Sequence, residues 1–297
     1  MGIDLNAAQL LIKAHKSGLP FGRMGTLGRQ GLHANRPALI SVLRASGYDL
    51  SKDRIRKLLD PTTEYSDDFF SLLGVKEIVT IDVSDYEGAQ IVHDMNRPIP
   101  DSLVSSFDLV LDGGTLEHIF DFPTALRNAT MMVRPNGQFI SIAAANNLCG
   151  HGFYQFSPEL FYRFLCPRNG YSMESCIIWE DIPGSKFYQV PDPDSLGSRI
   201  DLTSEFGTNM MVKAIRKGDV SREFIPQQSD YVRLWNGPAV VAQRRSSLDK
   251  LKSTLKGIRT LRSAFAALNA KARYRRLRIK RNARRILTPL NDLRVLH

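Results

Sequence analysis

Short apolar runs, each followed by a polar residue, dominate the middle of the chain. Three of them are rich in β-branched residues, are too short for helices, and end at acidic residues: Asp82, Asp94 and Asp112. Continuous apolar runs of this length are typical of strands buried in a parallel sheet. Parallel strands present ligand-binding groups at their carboxyl ends, so the pattern predicts one sheet edge that carries three carboxylates.

Segments whose apolar residues recur at helical spacing alternate with predicted strands over most of the chain. The predicted helices are 5–15, 37–45, 51–59, 67–73, 123–132 and 157–165, and further predicted strands are 21–28, 138–144, 171–179 and 208–215. This alternation predicts an α/β fold with a doubly wound, mostly parallel, Rossmann-like sheet. The segment 183–206 is rich in Pro, Gly, Asp and Ser, and we expect an irregular lid or arm there.

Charge divides the chain into two unlike parts. The net charge is +10, yet residues 243–297 contain 17 Lys and Arg against 2 Asp and Glu, whereas the remainder contains 23 against 28. We therefore expect a domain of the α/β class at 1–225, a connector at 226–242 and a basic tail at 243–297. From Leu248 to Leu268 the apolar residues of the tail recur at helical spacing, which predicts an α-helical extension.

The sequence leaves three interpretations of this tail open. A basic amphipathic helix can lie on an anionic membrane surface. Its apolar stripe can also dock on the body or on a second copy of the chain, which would make a homo-oligomer. Binding to nucleic acid ranks below both, because Tyr274 is the only aromatic residue within the basic run on which bases could stack.

Composition bounds the compartment of the protein. The three cysteines, Cys149, Cys166 and Cys176, form no paired framework and have no metal-ligand spacing. This favours a reducing compartment and predicts no metal site. We find no secretory signal and no run near the roughly 18 apolar residues of a membrane span. We expect a cytoplasmic protein, held peripherally on the inner membrane if its tail contacts lipid.

Several motifs together resemble class I S-adenosylmethionine-dependent methyltransferases over residues 21–215. The second and third strands of the family each end at an acidic residue, which Asp82 and Asp94 match. The fourth strand opens with Phe-Asp-Leu-Val and is followed by a Glu-His pair, which Phe107–Val110 and Glu117-His118 match. A Pro-Asn-Gly turn precedes the fifth strand, at Pro135–Gly137. Segments 84–89 and 150–158 are similar to a bacterial subgroup found near glycan and small-molecule pathways. The resemblance implies S-adenosyl-L-methionine as the cofactor.

The resemblance also implies a role for each residue of the sheet edge. Asp82 would bind the ribose hydroxyls, since a carboxylate accepts from two adjacent donors, and Asp94 with Met95 would lie at the adenine. Two glycine turns and their neighbours would surround the methionine end: Gly28, Arg29, Asp112, Gly113 and Gly114. The structural alternatives are a capping carboxylate at Asp82, a solvated turn at Asp94 and plain tight turns at the glycines.

The loop after the first strand departs from the family pattern of acidic-x-Gly-x-Gly-x-Gly. Its best match is Thr26–Gly31, in which only Gly28 stands at a glycine position of the pattern. The distance from this loop to the second strand, about fifty residues, is also long. A non-catalytic, methyltransferase-like binding or scaffold protein is therefore kept as an alternative.

Two histidines and a glutamate are the candidates for catalysis. His118 is the candidate base, because imidazole titrates near neutral pH and follows the edge where an acceptor would lie. Glu117 would orient that ring or hold the acceptor, and His151 would contact the acceptor. The structural alternatives are a packing histidine, an anion at a helix start and a packed loop.

The predicted activity is methyl transfer to a hydroxyl of a small-molecule or sugar/glycan acceptor. Besides the scaffold protein, a nucleic-acid methyltransferase remains as an alternative. A nicotinamide dehydrogenase is less favoured, because no Gly-x-Gly-x-x-Gly follows a strand.

Overall fold

The structure is a computed structural model that describes residues 2–18, 21–182, 184–197, 200, 202–236 and 288–289. The strands are β1 (Gly2–Ile3), β2 (Gly22–Leu27), β3 (Gly31–Leu32), β4 (Val75–Asp82), β5 (Ile91–Val92), β6 (Phe107–Asp112), β7 (Val133–Asn146), β8 (Tyr171–Glu180), β9 (Tyr188–Gln189), β10 (Thr208–Arg216) and β11 (Thr288–Pro289). The helices are α1 (Leu5–Lys16), α2 (Arg36–Ala45), α3 (Lys52–Leu59), α4 (Asp67–Leu72), α5 (Phe122–Met132), α6 (Pro158–Phe164), α7 (Pro193–Leu196) and α8 (Ser229–Asn236). Three short 3₁₀ helices span Asp101–Leu103, Leu116–His118 and Pro167–Asn169.

The order of strands in the large sheet reverses between β2 and β6. The sheet reads β11-β9-β8-β10-β7-β6-β2-β4-β5, and its five strands from β7 to β5 run parallel. From β2 the chain adds β4 and β5 toward one edge of the sheet. It then returns to the other side of β2, where it adds β6 and β7 toward the opposite edge. Beyond these, β10 is antiparallel to both of its neighbours, β7 and β8. The doubly wound, mostly parallel α/β class is confirmed, and its switch point lies between β2 and β6.

Helices cover both faces of this sheet. Leu109 and Leu111 of β6 pack in a buried cluster with α1, α2 and α4, whereas Val110 packs in a cluster with α5 and α6. All three side chains are fully buried. Successive residues of a strand point to opposite faces, so β6 contributes to both cores and must be apolar throughout its middle.

The helices begin where the sequence supplies capping residues. The Asp4 carboxylate accepts from the Ala7 amide at 2.6 Å, and the Asn35 side chain accepts from the Ala38 amide at 3.0 Å. Asp121 caps α5, whose first turn contains a proline. Side chains of this kind satisfy amides that have no partner inside the helix, which places the starts of α1, α2 and α5 within one residue of their predictions.

Strand β7 starts five residues earlier than the predicted strand at 138–144. Val133 pairs with Phe107 and Gln138 with Leu109, so the predicted Pro135–Gly137 turn bulges out of a strand that continues on both sides. A Cβ at Gly137 would lie 2.8 Å from the backbone oxygen of Asp108. Glycine is therefore required there by the close approach of β6.

The long stretch between the first two parallel strands contains an added layer. It holds β3, α2, α3 and α4, and β3 pairs in parallel with β1 as a separate two-stranded sheet. The predicted irregular arm at 183–206 contains the short elements β9 and α7, and the predicted connector contains α8. The domain boundaries stay predictions.

The predicted tail helix at Leu248–Leu268 lies outside the described residues. Among the residues that the structure does describe, no helix combines the length and the apolar character needed to cross a membrane. The expectations about membrane contact, nucleic acid, oligomers and compartment stay predictions.

Candidate active site

Glycine turns follow β2 and β6 at the switch point. Gly28 has φ +67° and its amide donates to Ile81 O at 2.8 Å, while Gly114 has φ +93°. These left-handed conformations suit glycine, which lets both strands end abruptly at the crevice. The Thr115 hydroxyl donates to Leu27 O at 2.5 Å and so ties the two turns together.

The side chain of Gln30 lies in this crevice. Its amide nitrogen donates to Leu27 O at 2.8 Å and to Gly28 O at 3.2 Å. A Cβ on Gly113 would clash with the Gln30 amide oxygen, so glycine at 113 makes room for this side chain. The amide oxygen is buried and has no hydrogen-bond partner among the described residues, which costs about 1–3 kcal/mol. An unpaired buried acceptor of this kind suits a ligand that brings a donor.

The backbone around Gln30 is held from several sides. Ser66 donates from its amide to Gln30 O at 2.8 Å and from its hydroxyl to Gly31 O at 3.0 Å. The Leu32 amide donates to Glu64 O at 2.8 Å, and Gly31 also pairs with β1. The loop after β2 is therefore fixed by the layer that the long sequence gap supplies.

Arg29 points into that added layer. Its guanidinium donates to the Asp67 carboxylate and to Glu87 O, both at 3.1 Å, and lies 3.9 Å from the centre of the Tyr65 ring. These contacts tie the loop after β2 to the loop after β4. Arg29 was predicted to surround the methionine end of the cofactor. In the structure Arg29 joins these two loops, and its role at the cofactor stays a prediction.

Asp112 is fully buried beneath the turn after β6. One carboxylate oxygen accepts from the amides of Thr115 (2.8 Å) and Leu116 (3.2 Å), and the other accepts from the Ser141 hydroxyl at 2.6 Å. Burial raises the pKa of Asp112 despite these bonds. Its carboxylate therefore supports the turn that carries the catalytic candidates, and the predicted role of Asp112 at the cofactor stays a prediction.

Asp82 and Asp94 lie at the same edge, because Asp82 ends β4 and its neighbour β5 runs parallel to it. Both are partly exposed. The Asp82 carboxylate accepts from the Val83 amide at 2.6 Å, and Asp94 accepts from the Asn96 side chain at 2.7 Å and amide at 2.9 Å. The Asn96 bonds lower the pKa of Asp94. Asp94 thus lies in a partly exposed turn, which is the structural alternative given above for this residue, and Met95 is buried next to it. The predicted contacts of Asp82, Asp94 and Met95 with the cofactor stay predictions.

The three predicted catalytic side chains come together beside the switch point. Glu117 and His118 end the 3₁₀ helix after β6, and His151 lies in the loop after β7. His151 Nε2 is 3.5 Å from Glu117 Oε1, and the His118 and His151 ring centroids are 4.9 Å apart at 69°. The amides of Phe153 and Tyr154 both donate to Glu117 O, at 2.7 and 3.2 Å, which fixes the loop against the helix.

The burial and the pKa shifts of Glu117 and His118 differ sharply. Glu117 is 1% exposed, and burial together with the nearby Asp112 charge raises its pKa to about 8. Burial and the neighbouring His151 lower the pKa of His118, although its ring reaches the surface. At neutral pH the trio therefore contains a protonated glutamate and a neutral imidazole able to accept a proton.

Gly152 makes this close approach possible. It has φ +69°, and a Cβ there would lie 2.7 Å from Glu117 O and 3.2 Å from His118 Nδ1. An L side chain at this position would be strained and would displace the loop from the helix. The same loop exposes Phe153, whose ring lies 5.9 Å from that of the exposed Phe120.

A cleft of about 230 Å³ adjoins the other end of this loop, between the ends of β7, β8 and β10. Its walls include Phe156, Trp179, Tyr188 and Leu202. Trp179 Nε1 and the hydroxyl of Thr203, which also lines it, are buried without hydrogen-bond partners among the described residues. Mostly apolar walls with a few unpaired polar groups are typical of small-molecule sites.

Two features of this region were absent from the sequence predictions. Gln30 stands where the family pattern has its second glycine, so this departure from the pattern could have indicated that a side chain lies in the crevice. The cleft combines residues from β7, β8, β10 and the arm at 200–204, and no local pattern indicates that they meet.

The strand order and the switch point define a doubly wound α/β protein, and the candidate site lies at the carboxyl edge of its parallel strands. No family model matches the chain, and no curated protein matches it by sequence. Among solved structures it is similar to the 1,6-didemethyltoxoflavin-N1-methyltransferase of Burkholderia thailandensis, with bound S-adenosylhomocysteine, at 13% identity over 71% of this chain and 77% of that chain (TM-score 0.37).

It is also similar to the N-methyltransferase NodS of Bradyrhizobium japonicum in complex with S-adenosylhomocysteine, at 12% identity over 72% of this chain and 87% of that chain (TM-score 0.38). A Rhodobacter sphaeroides protein described as a Zn-dependent alcohol dehydrogenase is similar at 11% identity over 72% of this chain and 90% of that chain (TM-score 0.39). All three likenesses have low identity and a TM-score below 0.5, so the fold class rests on the strand order and switch point of this chain itself.

Proposed function

We propose that this protein is an S-adenosylmethionine-dependent methyltransferase that acts on a hydroxyl of a small-molecule or sugar/glycan acceptor. The observation that carries the proposal is the trio of Glu117, His118 and His151 beside the switch point. Its groups differ in burial and protonation, as an acid–base site requires.

The crevice offers acceptors to both ends of the cofactor. Asp82 is partly exposed at the carboxyl end of β4, where it can accept from the ribose hydroxyls. At the other end, the unpaired oxygen of Gln30 would accept from the ammonium of the methionine part. When bound, the cofactor supplies an electrophilic methyl group on its sulfonium; the protein aligns the acceptor with it.

His118 would take the proton from the acceptor hydroxyl. The hydroxyl oxygen forms a bond to the methyl carbon as the carbon–sulfur bond breaks, and the lost proton ends on the imidazole. His151 and the exposed aromatic rings of the same loop would hold the acceptor. The apolar cleft at Trp179 would receive the remainder of an acceptor with apolar surface.

Calorimetric titration with S-adenosylhomocysteine tests the cofactor assignment. Wild type should bind it, and Gln30→Ala should bind it about 10–150-fold more weakly, since a hydrogen bond to a charged group is worth about 1.5–3 kcal/mol. Gln90→Ala, which changes an exposed glutamine whose side chain accepts from the Thr80 amide of β4, is the matched control. Absence of binding by wild type would remove the cofactor from the proposal.

A specific observation favours a second candidate, the non-catalytic binding protein. Gln30 fills space in the crevice at a position where the family pattern has glycine. If it acts as a plug, Gln30→Gly would tighten the binding of S-adenosylhomocysteine instead of weakening it. That result would support the non-catalytic alternative over the enzyme.

The basic tail at 243–297 forms the last part of the proposal. Its charge would hold the enzyme on an anionic membrane surface, where lipid-linked glycan acceptors are located. Co-sedimentation of the full chain with vesicles containing anionic lipid, and not with neutral vesicles, is expected. Equal sedimentation with both would argue against this location.

A further inference from the structure

The trio beside the switch point also has the composition of a metal site. Glu117, His118 and His151 each offer one ligand atom, and these atoms all lie within 4.8 Å of one another. We propose that these three side chains bind one divalent transition-metal ion. The proposal concerns binding and does not depend on the methyl-transfer function.

Distances within the trio suit a shared ion. In a tetrahedral site with ligands about 2.0–2.2 Å from the metal, neighbouring ligand atoms are about 3.4 Å apart. The observed separation of His151 Nε2 and Glu117 Oε1 is 3.5 Å. The other pairs of ligand atoms lie within 4.8 Å of each other, and both histidines reach the surface, where their rings can rotate toward an ion.

An independent observation at Glu117 also points to a ligand. The residue is 1% exposed, and its Oε2 is buried without a hydrogen-bond partner among the described residues. Within the described part of the chain, the protein thus leaves one oxygen of the Glu117 carboxyl group unpaired next to two imidazoles. A cation between them would displace the carboxyl proton and supply the missing partner.

The framework around the trio is already organised for binding. The loop carrying His151 is fixed to Glu117 O by two backbone amides, and Gly152 allows it to approach His118. Glu117 follows the turn held by Asp112. Ligands on such supported elements lose little conformational entropy when the ion binds.

The donor set selects the kind of ion. Two imidazoles and one carboxylate suit Zn²⁺, Fe²⁺, Co²⁺ and Ni²⁺, and leave positions open for water or a substrate oxygen. Mg²⁺ and Ca²⁺ prefer oxygen ligands only. If the proposed function holds, the hydroxyl of the acceptor would occupy an open position, and the ion would lower the pKa of that hydroxyl in place of the imidazole.

Calorimetric titration of the chelator-treated full chain with Zn²⁺ and Mg²⁺ tests the proposal. We expect one Zn²⁺ site of micromolar affinity or tighter and no binding of Mg²⁺. His118→Ala and His151→Ala should each weaken Zn²⁺ binding at least about 100-fold, as loss of a direct ligand does. The matched control is His93→Ala, a histidine of the same sheet edge whose ring contacts the Arg97 backbone.

The outcomes separate this proposal from the proposed function. Absence of Zn²⁺ binding at millimolar concentration, or equal losses in His93→Ala and His151→Ala, would overturn the metal site. Far-ultraviolet circular dichroism and S-adenosylhomocysteine affinity, measured on metal-free variants, check that the surface substitutions leave the fold intact. Zn²⁺ binding without S-adenosylhomocysteine binding would preserve the metal site and remove the methyltransferase.

Discussion

The ligand edge of the sheet has two halves whose polar groups are satisfied in different ways. In the half formed by β4 and β5, Asp82 and Asp94 are partly exposed and bond to neighbouring backbone or side-chain groups of their own turns. In the half formed by β6 and β7, Asp112 and Glu117 are buried, and one Glu117 oxygen has no partner among the described residues.

We expect this difference to separate the residues that bind the cofactor from those that take part in the reaction. An exposed carboxylate exchanges water for a ligand at small cost, so the first half can hold a cofactor with little disturbance. A buried carboxylate with a raised pKa is sensitive to every charge placed near it. The second half is therefore where a reacting group or a cation would have the larger effect.

The largest expected effect follows from substitution of His118. His118→Ala should lower the rate of methyl transfer about 10²–10⁴-fold, which is the usual contribution of a positioned base. The affinity for S-adenosylhomocysteine should stay the same, because the ring lies in the other half of the edge. Transfer of labelled methyl from the cofactor to small-molecule and sugar extracts measures the first quantity, and calorimetry measures the second.

A fall in cofactor affinity that matches the fall in rate would break the division between the halves. His93→Ala again serves as the control histidine, and its rate should be that of wild type.

Substitution of Gly152 should have the next largest effect. Gly152→Ala places a Cβ 2.7 Å from Glu117 O in a left-handed conformation, so we expect a loss of about 1–3 kcal/mol in the free energy of unfolding. Gly150→Ala, in the same loop with no atom within 4 Å of its added Cβ, should change stability by less than about 0.5 kcal/mol. Urea denaturation of both variants measures the difference, and equal losses would contradict the tight approach of the loop.

The two exposed carboxylates provide a finer comparison. Asp82→Asn should weaken S-adenosylhomocysteine about 10-fold, since an amide accepts poorly from two hydroxyls at once. Asp94→Asn should weaken it less, because the Asp94 carboxylate already bonds to Asn96. A larger loss at Asp94, measured by the same titration, would reverse the order of the two residues in the site.

The smallest effect concerns the cysteines. Cys149, exposed in the loop after β7, should react with iodoacetamide in the native protein. Cys176 should react only after unfolding, because full burial raises the pKa of its thiol. Mass spectrometry of digests identifies the modified residue; native labelling of Cys176 would show that the sheet opens there.

Local patterns explain why much of the fold could be predicted. The strands around Asp82 and Asp112 were predictable because burial on both faces leaves a continuous apolar run in the sequence. Helix starts were predictable because capping needs particular side chains at the start itself. The start of β7 could not be predicted, because the bulge at Pro135–Gly137 depends on how closely β6 approaches it.

The site was predictable only in part. Glu117, His118 and His151 were each found from their place after a strand, but their contact depends on backbone bonds between two loops that are distant in sequence. The position of Gln30 depends on the missing side chain of Gly113, which is likewise far away in the sequence. Contacts of this kind leave no local period or spacing to detect.

The anchored backbone around Gln30 has a consequence for the speed of binding. Ser66, Glu64 and β1 hold this loop by bonds to its backbone, so we expect a ligand that enters the crevice to require only a change in the rotamer of Gln30. Rotamer changes are much faster than loop movements. In stopped-flow experiments, association should therefore be a single phase whose rate rises in proportion to ligand concentration, limited by diffusion to the edge and alignment there.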